Sequence, residues 1–158
     1  MDSQAILQFT EHQLQELKSN PINALNKICE HLQQNIDHYD WVGFYFHHQA
    51  KPKLILKAFA GEPTEHVEIP FGKGICGQVA ESNANFRVDD VNDQENYIAC
   101  NIETKSELVV PLFVDGQNIG QIDIDSHQKN AFSAEDEELL RKINELVAYY
   151  INLNAINV

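Results

Sequence analysis

The spacing of apolar residues changes twice along the chain, and this change limits the possible folds. Before residue 40, apolar residues recur at helical spacing, which predicts one helix from Ile6 that stops near Asn20 and another that Pro21 opens. Between residues 41 and 125, short aromatic and aliphatic runs alternate with polar turns, as is typical of strands. Ser133 then caps a long closing helix. This order predicts an α+β domain with an antiparallel sheet.

The central part divides into short predicted elements. A glycine-rich segment, 71–77, leads into a brief helical pattern at 78–81, and the polar segment 89–105 is predicted to be a loop. The predicted strands are residues 41–46, 54–59, 67–69, 108–114 and 117–125.

Length and charge restrict the functional classes. The 158 residues are expected to form one domain, with residues 1–20 as an N-terminal helix and 21–158 as the core. The net charge of -13 argues against binding to nucleic acids or anionic membranes, because both attract clustered Lys and Arg. No secretory signal or membrane-spanning run is evident, so we expect a cytoplasmic protein whose cysteines are reduced.

Three cysteines differ in their surroundings. Cys29 falls on the apolar face of the second predicted helix and is expected to be a buried structural residue. Cys76 follows the glycine-rich segment, and Cys100 lies in the polar loop shortly before a set of acids. Two thiols near carboxylic acids suggest sulfur redox chemistry, in which one thiol attacks, the other resolves the product, and an acid protonates a departing oxygen.

The position of the acids depends on strand register. Asp123 and Asp125 are two residues apart on one predicted strand and therefore face the same side. A two-residue turn at Asp115-Gly116 places Glu107 opposite Ile124, away from the aspartates. A three-residue turn places Glu107 opposite Asp125, and a bulge can also redirect it. The alternative interpretation is that these acids are simply solvated at a strand end.

A cluster of acids would have opposing effects on the chemistry. Neighbouring carboxylates raise one another's pKa, so one of them can stay protonated and act as an acid. The same negative field opposes thiolate formation at Cys100. A substrate ammonium group would offset this field, as in a free amino acid that carries a sulfoxide.

Five segments in order resemble the free methionine-R-sulfoxide reductases, a family with a GAF fold. The segments are Trp41-Val42-Gly43-Phe44-Tyr45, Gly72-Lys73-Gly74-Ile75-Cys76-Gly77, Ile98-Ala99-Cys100, Ser106-Glu107-Leu108-Val109-Val110-Pro111-Leu112 and Asp123-Ile124-Asp125-Ser126. The resemblance extends from about residue 20 to the C-terminal helix. It implies a six-stranded antiparallel sheet packed against N- and C-terminal helices, with loops over the ligand pocket. It also implies that the protein can form a homodimer.

The resemblance assigns roles to residues by position. Cys100 matches the catalytic nucleophile, and Cys76 matches the cysteine that forms a disulfide with it. The acids Glu107, Asp123 and Asp125 match groups that bind substrate and assist proton transfer. The aromatic residues Trp41 and Tyr45 match pocket walls, although aromatic residues on a strand more often belong to the core.

The reaction implied by the resemblance is reduction of free L-methionine-R-sulfoxide to L-methionine. Cys100 attacks the sulfoxide sulfur and becomes a sulfenic acid, Cys76 condenses with it, and thioredoxin reduces the disulfide with electrons from NADPH and thioredoxin reductase. No bound cofactor or metal is implied. The alternatives are a GAF module that binds a small ligand without turnover, and a thiol redox sensor.

One position departs from the family pattern. Many members carry a further cysteine ten residues before the glycine-loop cysteine, and this chain has His66 there. Resolution would therefore depend on Cys76 or on an external thiol. His66 itself is expected to be an exposed loop residue, with charge compensation near the site as the alternative.

Overall fold

The computed structural model describes residues 1–98 and 101–158. In this part of the chain the helices are α1 (Ser3–Leu14), α2 (Pro21–Asn35), α3 (Gly74–Ser82) and α4 (Ala134–Asn154). The strands are β1 (Trp41–His47), β2 (Lys53–Ala60), β3 (Glu68–Pro70), β4 (Phe86–Val88), β5 (Ser106–Val114) and β6 (Gln117–Ser126). None of the helices in the described ranges is both long and apolar enough to span a bilayer.

All six strands form one antiparallel sheet in the order β3-β2-β1-β6-β5-β4. Helix α2 packs on β1 and β2, and α4 packs mainly on β5, so both cover one face of the sheet. Helix α1 packs on α2 and α4, outside this layer. Helix α3 covers the opposite face. The α+β fold and the six-stranded sheet expected from the sequence are confirmed.

The two faces of β1 contribute side chains to two separate apolar cores. Val42, Phe44 and Phe46 point to the side of α2 and α4 and belong to the larger apolar cluster. Trp41 and Tyr45 point to the side of α3 and belong to the smaller cluster. Successive strand residues face opposite sides, so β1 is buried on both. The smaller core is the side on which the candidate site lies.

Two predicted helices have the wrong bounds. Helix α1 ends at Leu14 instead of near Asn20, because hydrogen bonds of the i to i+3 type replace the α-helical pattern in the next turns. Helix α3 begins at Gly74 instead of residue 78. Its glycine at Gly77 is needed for packing, since a Cβ there would lie 2.6 Å from the Pro70 carbonyl oxygen. The predicted Pro21 start and Ser133 cap are confirmed.

A bulge sets the register between β5 and β6. The turn has two residues, Asp115 and Gly116, both at positive φ, so Val114 pairs with Gln117. Further along, Leu112 pairs with Gly120 while Phe113 pairs with Asn118, which leaves Ile119 as an extra residue. The pairing beyond it shifts by one residue and puts Glu107 opposite Asp125. The simple two-residue-turn register, with Glu107 opposite Ile124, is therefore wrong.

Cys29 lies in the larger core, as predicted. It is fully buried beside other apolar residues of α2. Burial raises the pKa of its thiol, and the charge of Glu30 raises it further by a smaller amount. The thiol therefore stays neutral and unreactive.

Replacing Cys29 with alanine should lower stability without altering the other face of the sheet. We expect Cys29→Ala to reduce the free energy of unfolding by about 1 to 3 kcal/mol, because the sulfur leaves a small cavity. Urea denaturation followed by circular dichroism measures this change. An unchanged midpoint would mean that Cys29 is not part of a close-packed core.

Candidate active site

Trp41 and Tyr45 lie on the α3 side of the sheet, and both are buried. The Trp41 indole N–H donates to the Glu62 carbonyl oxygen at 3.0 Å, and the Tyr45 hydroxyl donates to the His66 carbonyl oxygen at 2.9 Å. These hydrogen bonds connect the strand to the segment between β2 and β3. The two aromatic residues thus form a wall on the predicted side, and their contact with substrate stays a prediction.

Glu107, Asp123 and Asp125 converge on this same face. Asp125 pairs with Glu107 on one side and with Trp41 on the other, and Asp123 lies opposite Gly43. Residues directly opposite in a sheet share a face, so the three carboxylates and the indole lie together. All three acids are at least 96% buried, since their exposures are 4%, 0% and 1%. The interpretation of these acids as a solvated strand end is wrong.

Helix α3 brings Cys76 to the acids. The Cys76 thiol is buried and points toward Asp123, with Sγ 3.2 Å from Oδ2 and 3.8 Å from Glu107 Oε1. Gly77 permits this approach because α3 can pack directly on the backbone at Gly72 and Pro70. The sequence placed Cys76 and the acids near one site, and the structure brings them into contact.

The electrostatics of the acids follow from burial. Desolvation raises the pKa of Glu107 well above its ordinary value, and the charges of Asp123 and Asp125 raise it further. Desolvation also raises the pKa of Asp123 to about 6, although hydrogen bonds from Glu107 and Cys76 act in the opposite direction. Burial and then the charges of Asp123 and Asp40 raise the pKa of Asp125. Burial and the neighbouring charges thus favour the neutral, protonated form of Glu107.

The space beside Cys76 is nearly closed. A cavity of about 10 Å³ lies there, close to the volume that one water occupies. Its lining residues are Ile69, Lys73, Gly74, Ile75, Cys76, Ile98 and Glu107. Much larger concavities lie elsewhere, including one of about 650 Å³ beside His47 and the C-terminal residues. We assign the chemistry to the small cavity because the thiol and the acids are there.

Asn96 holds the segment that closes this cavity. Its side-chain N–H donates to the Gly72 carbonyl oxygen at 2.7 Å, and its side-chain oxygen accepts from the Gly74 N–H at 3.0 Å. Two residues later, Ile98 packs against Gly74, where a Cβ would lie 3.1 Å from the Ile98 side chain. Sequence reasoning missed Asn96, because nothing in a polar loop distinguishes an amide that binds a distant backbone.

Other predicted residues have different outcomes. Cys100 lies outside the described residues, so its predicted role stays a prediction. His66 is half-buried, not exposed, and its backbone carbonyl oxygen accepts a hydrogen bond from the Tyr45 hydroxyl.

Gln121 is a buried residue of the same face that the sequence did not point to. It lies two residues before Asp123 and is fully buried. Among the described residues, neither atom of its side-chain amide has a hydrogen-bond partner.

The buried acids should make stability fall as pH rises. The raised pKa values mean that the folded protein holds protons that the unfolded chain releases, so stability is fully present below about pH 4 and falls as pH rises through about 6. We expect Glu107→Gln to be more stable than wild type at pH 8, by at least about 1 kcal/mol. Urea denaturation across this pH range measures the difference.

Glu11→Gln is a matched control, because Glu11 is exposed on α1. It should follow the wild-type pH dependence. Parallel curves for wild type and Glu107→Gln would contradict a pKa raised by burial.

Comparison with known proteins identifies the fold family. A profile of the GAF domain matches residues 19–152. The chain is 41% identical over 110 residues to a free methionine-R-sulfoxide reductase from Saccharomyces cerevisiae, covering 68% of this chain and 61% of that protein. It thus spans about three fifths of the yeast protein.

Solved structures give the same result over more of the chain. A type II free methionine-R-sulfoxide reductase from Thermoplasma acidophilum is 42% identical with a TM-score of 0.81, covering 87% of this chain and 96% of that one. A free methionine-R-sulfoxide reductase from Neisseria meningitidis, solved with its substrate, is 29% identical with a TM-score of 0.89, covering 97% of this chain and 90% of that one. The chain therefore belongs to the free methionine-R-sulfoxide reductase family of GAF-domain proteins, whose named members are oxidoreductases acting on methionine sulfoxide.

Proposed function

We propose that this protein reduces free L-methionine-R-sulfoxide to L-methionine with its cysteine thiols and is recycled by thioredoxin. The main supporting observation is the buried Cys76 thiol, whose Sγ lies 3.2 Å from Asp123 Oδ2 and 3.8 Å from Glu107 Oε1, two acids that are themselves buried. Membership of the free methionine-R-sulfoxide reductase family supports the choice of substrate. A module that only binds a ligand has no need for a thiol held against a pair of buried acids.

The charge of the site fits a free amino acid. No ion pair among the described residues involves Glu107, Asp123 or Asp125, so any negative charge on this set of acids lacks a cationic partner there. A substrate ammonium group supplies that partner and gains charge-assisted hydrogen bonds. The nitrogen of a peptide-bound methionine is uncharged and cannot do so. The site is therefore expected to select the free amino acid.

Substrate binding requires the closed site to open. A cavity of about 10 Å³ cannot hold methionine sulfoxide, since pockets for small ligands are typically ~300 Å³ or more. Ile98 lines the cavity, and the two Asn96 hydrogen bonds hold the segment that carries it. One of these hydrogen bonds is exposed and the other is part-buried, and release of each costs about 1 kcal/mol. Closure over the bound substrate then excludes water from the acids.

The chemical step transfers one oxygen atom from substrate to enzyme. The Cys100 thiolate attacks the sulfoxide sulfur while Glu107, whose pKa burial raises, protonates the sulfoxide oxygen. The oxygen moves to the Cys100 sulfur, methionine leaves as the thioether, and Cys100 is oxidised to a sulfenic acid. Asp123 and Asp125 hold the ammonium group through this step.

Recycling removes the oxygen as water. The Cys76 thiol attacks the sulfenic acid, forming the Cys76–Cys100 disulfide and releasing one water. A dithiol of thioredoxin then reduces the disulfide by exchange, with electrons from NADPH and thioredoxin reductase. The carboxylate that faces Cys76 is placed to take up the thiol proton in this condensation.

Substrate selectivity tests the proposal directly. We expect NADPH consumption with free L-methionine-R-sulfoxide, thioredoxin and its reductase, and none with the S epimer or a peptide-bound R-sulfoxide. Glu107→Gln should reduce kcat by about 100-fold or more, because it cannot donate the proton. If no sulfoxide is reduced even with dithiothreitol, the proposal is wrong and a ligand-binding module is favoured.

Substitution of each of the three cysteines should affect methionine formation in a different way. Cys100→Ser should abolish methionine formation, and Cys76→Ser should release one methionine per protein but fail to turn over with thioredoxin. Cys29→Ala serves as the matched control and should keep turnover. Quantifying methionine by mass spectrometry in single and multiple turnover distinguishes these cases. Full thioredoxin-linked turnover by Cys76→Ser would exclude its resolving role.

A further inference from the structure

The side chains at the candidate site match the ligand spacing of a small metal ion. Cys76, Glu107 and Asp123 each offer one atom, and these atoms all lie within 4.8 Å of one another. The two sulfur–oxygen distances are 3.2 and 3.8 Å. In a tetrahedral zinc site, with bonds of about 2.3 Å to sulfur and about 2.0 Å to oxygen, these atoms are about 3.5 Å apart. The ligand atoms need little movement to reach that geometry.

A fourth side chain adds an independent observation. Asp125 is 1% exposed and lies opposite Glu107 on the same face of the sheet. Neither of its carboxylate oxygens, nor Oδ1 of Asp123, has a hydrogen-bond partner within residues 1–98 and 101–158. Buried polar groups are ordinarily satisfied, so these oxygens indicate a missing positively charged or hydrogen-bonding partner.

The size of the cavity limits that partner in the closed form. The cavity beside Cys76 and Glu107 has a volume of about 10 Å³, enough for one water or one ion. A free amino acid needs far more space than this cavity offers, whereas a single ion does not. The closed form is therefore better matched to a cation than to the substrate.

We propose that the closed site binds one divalent, thiophilic cation, with Zn²⁺ preferred, through Cys76, Glu107 and Asp123. A thiolate ligand favours zinc over Mg²⁺ or Ca²⁺, which prefer oxygen alone. Zinc displaces the thiol proton and any proton held by the two acids, and these protons go to the buffer. No atom changes oxidation state. Under the proposed function, zinc and the substrate ammonium compete for one negative site.

Calorimetric titration of the reduced full-length protein with zinc sulfate tests the proposal. We expect one site per chain, a Kd of about 1 µM or tighter, and proton release that differs between buffers of different ionisation enthalpy. Cys100→Ser should still bind zinc, although it cannot turn over. Zinc binding is thus measured separately from reductase activity, and either proposal can fail alone.

Variants locate the ion. Cys76→Ser and Asp123→Asn should weaken zinc binding at least tenfold, whereas Cys29→Ala and Glu11→Gln, which alter a buried thiol and an exposed acid elsewhere, should not. Zinc should also slow iodoacetamide labelling of Cys76 in wild type, a readout that needs no variant. Absence of a binding heat, equal affinity for Mg²⁺, or unchanged affinity in Cys76→Ser with unprotected Cys76 would overturn the proposal.

Discussion

The register between β5 and β6 is the constraint on which the site depends. The extra residue Ile119 shifts the pairing by one position, so Glu107 lies opposite Asp125 instead of Ile124. A one-residue shift moves a side chain to the other face of a sheet. Without the bulge, Glu107 would enter the apolar core beneath α4, and Leu108 would face the thiol. The bulge thus places Glu107 at the candidate site and keeps it out of the larger core.

Three buried acids on one face oppose folding. Each loses hydration, and each charge repels the next, so the raised pKa values are the expected response. The fold tolerates them because burial favours the neutral form of Glu107, which lessens the repulsion between the acids. The larger core of α2, α4 and the facing strands is built almost entirely of apolar residues and provides the stability that offsets this cost. Negative charge on these acids, which has no cationic partner among the described residues, is suited to bind an ammonium group or a metal ion.

Much of the fold was predictable because its signals are local. Helical spacing and the Pro21 and Ser133 caps predicted three helices, and alternating apolar runs predicted five strands. Strand β4 was not predicted, since three residues at a sheet edge are too few to show a period. The start of α3 was also missed, because its glycines resemble a loop in sequence but serve close packing in the structure.

The sequence by itself determined the kinds of groups available: thiols, a closely spaced set of acids, aromatic strand residues and the order of elements that carries them. It did not determine whether Glu107 shares a face with Asp123 and Asp125, because that depends on a bulge whose position no local pattern specifies. The contact between Cys76 and Asp123, and the two Asn96 hydrogen bonds, join residues 22 or more positions apart. Only the packing of α3 on the sheet decided them, because such contacts arise from the whole fold and not from neighbouring residues.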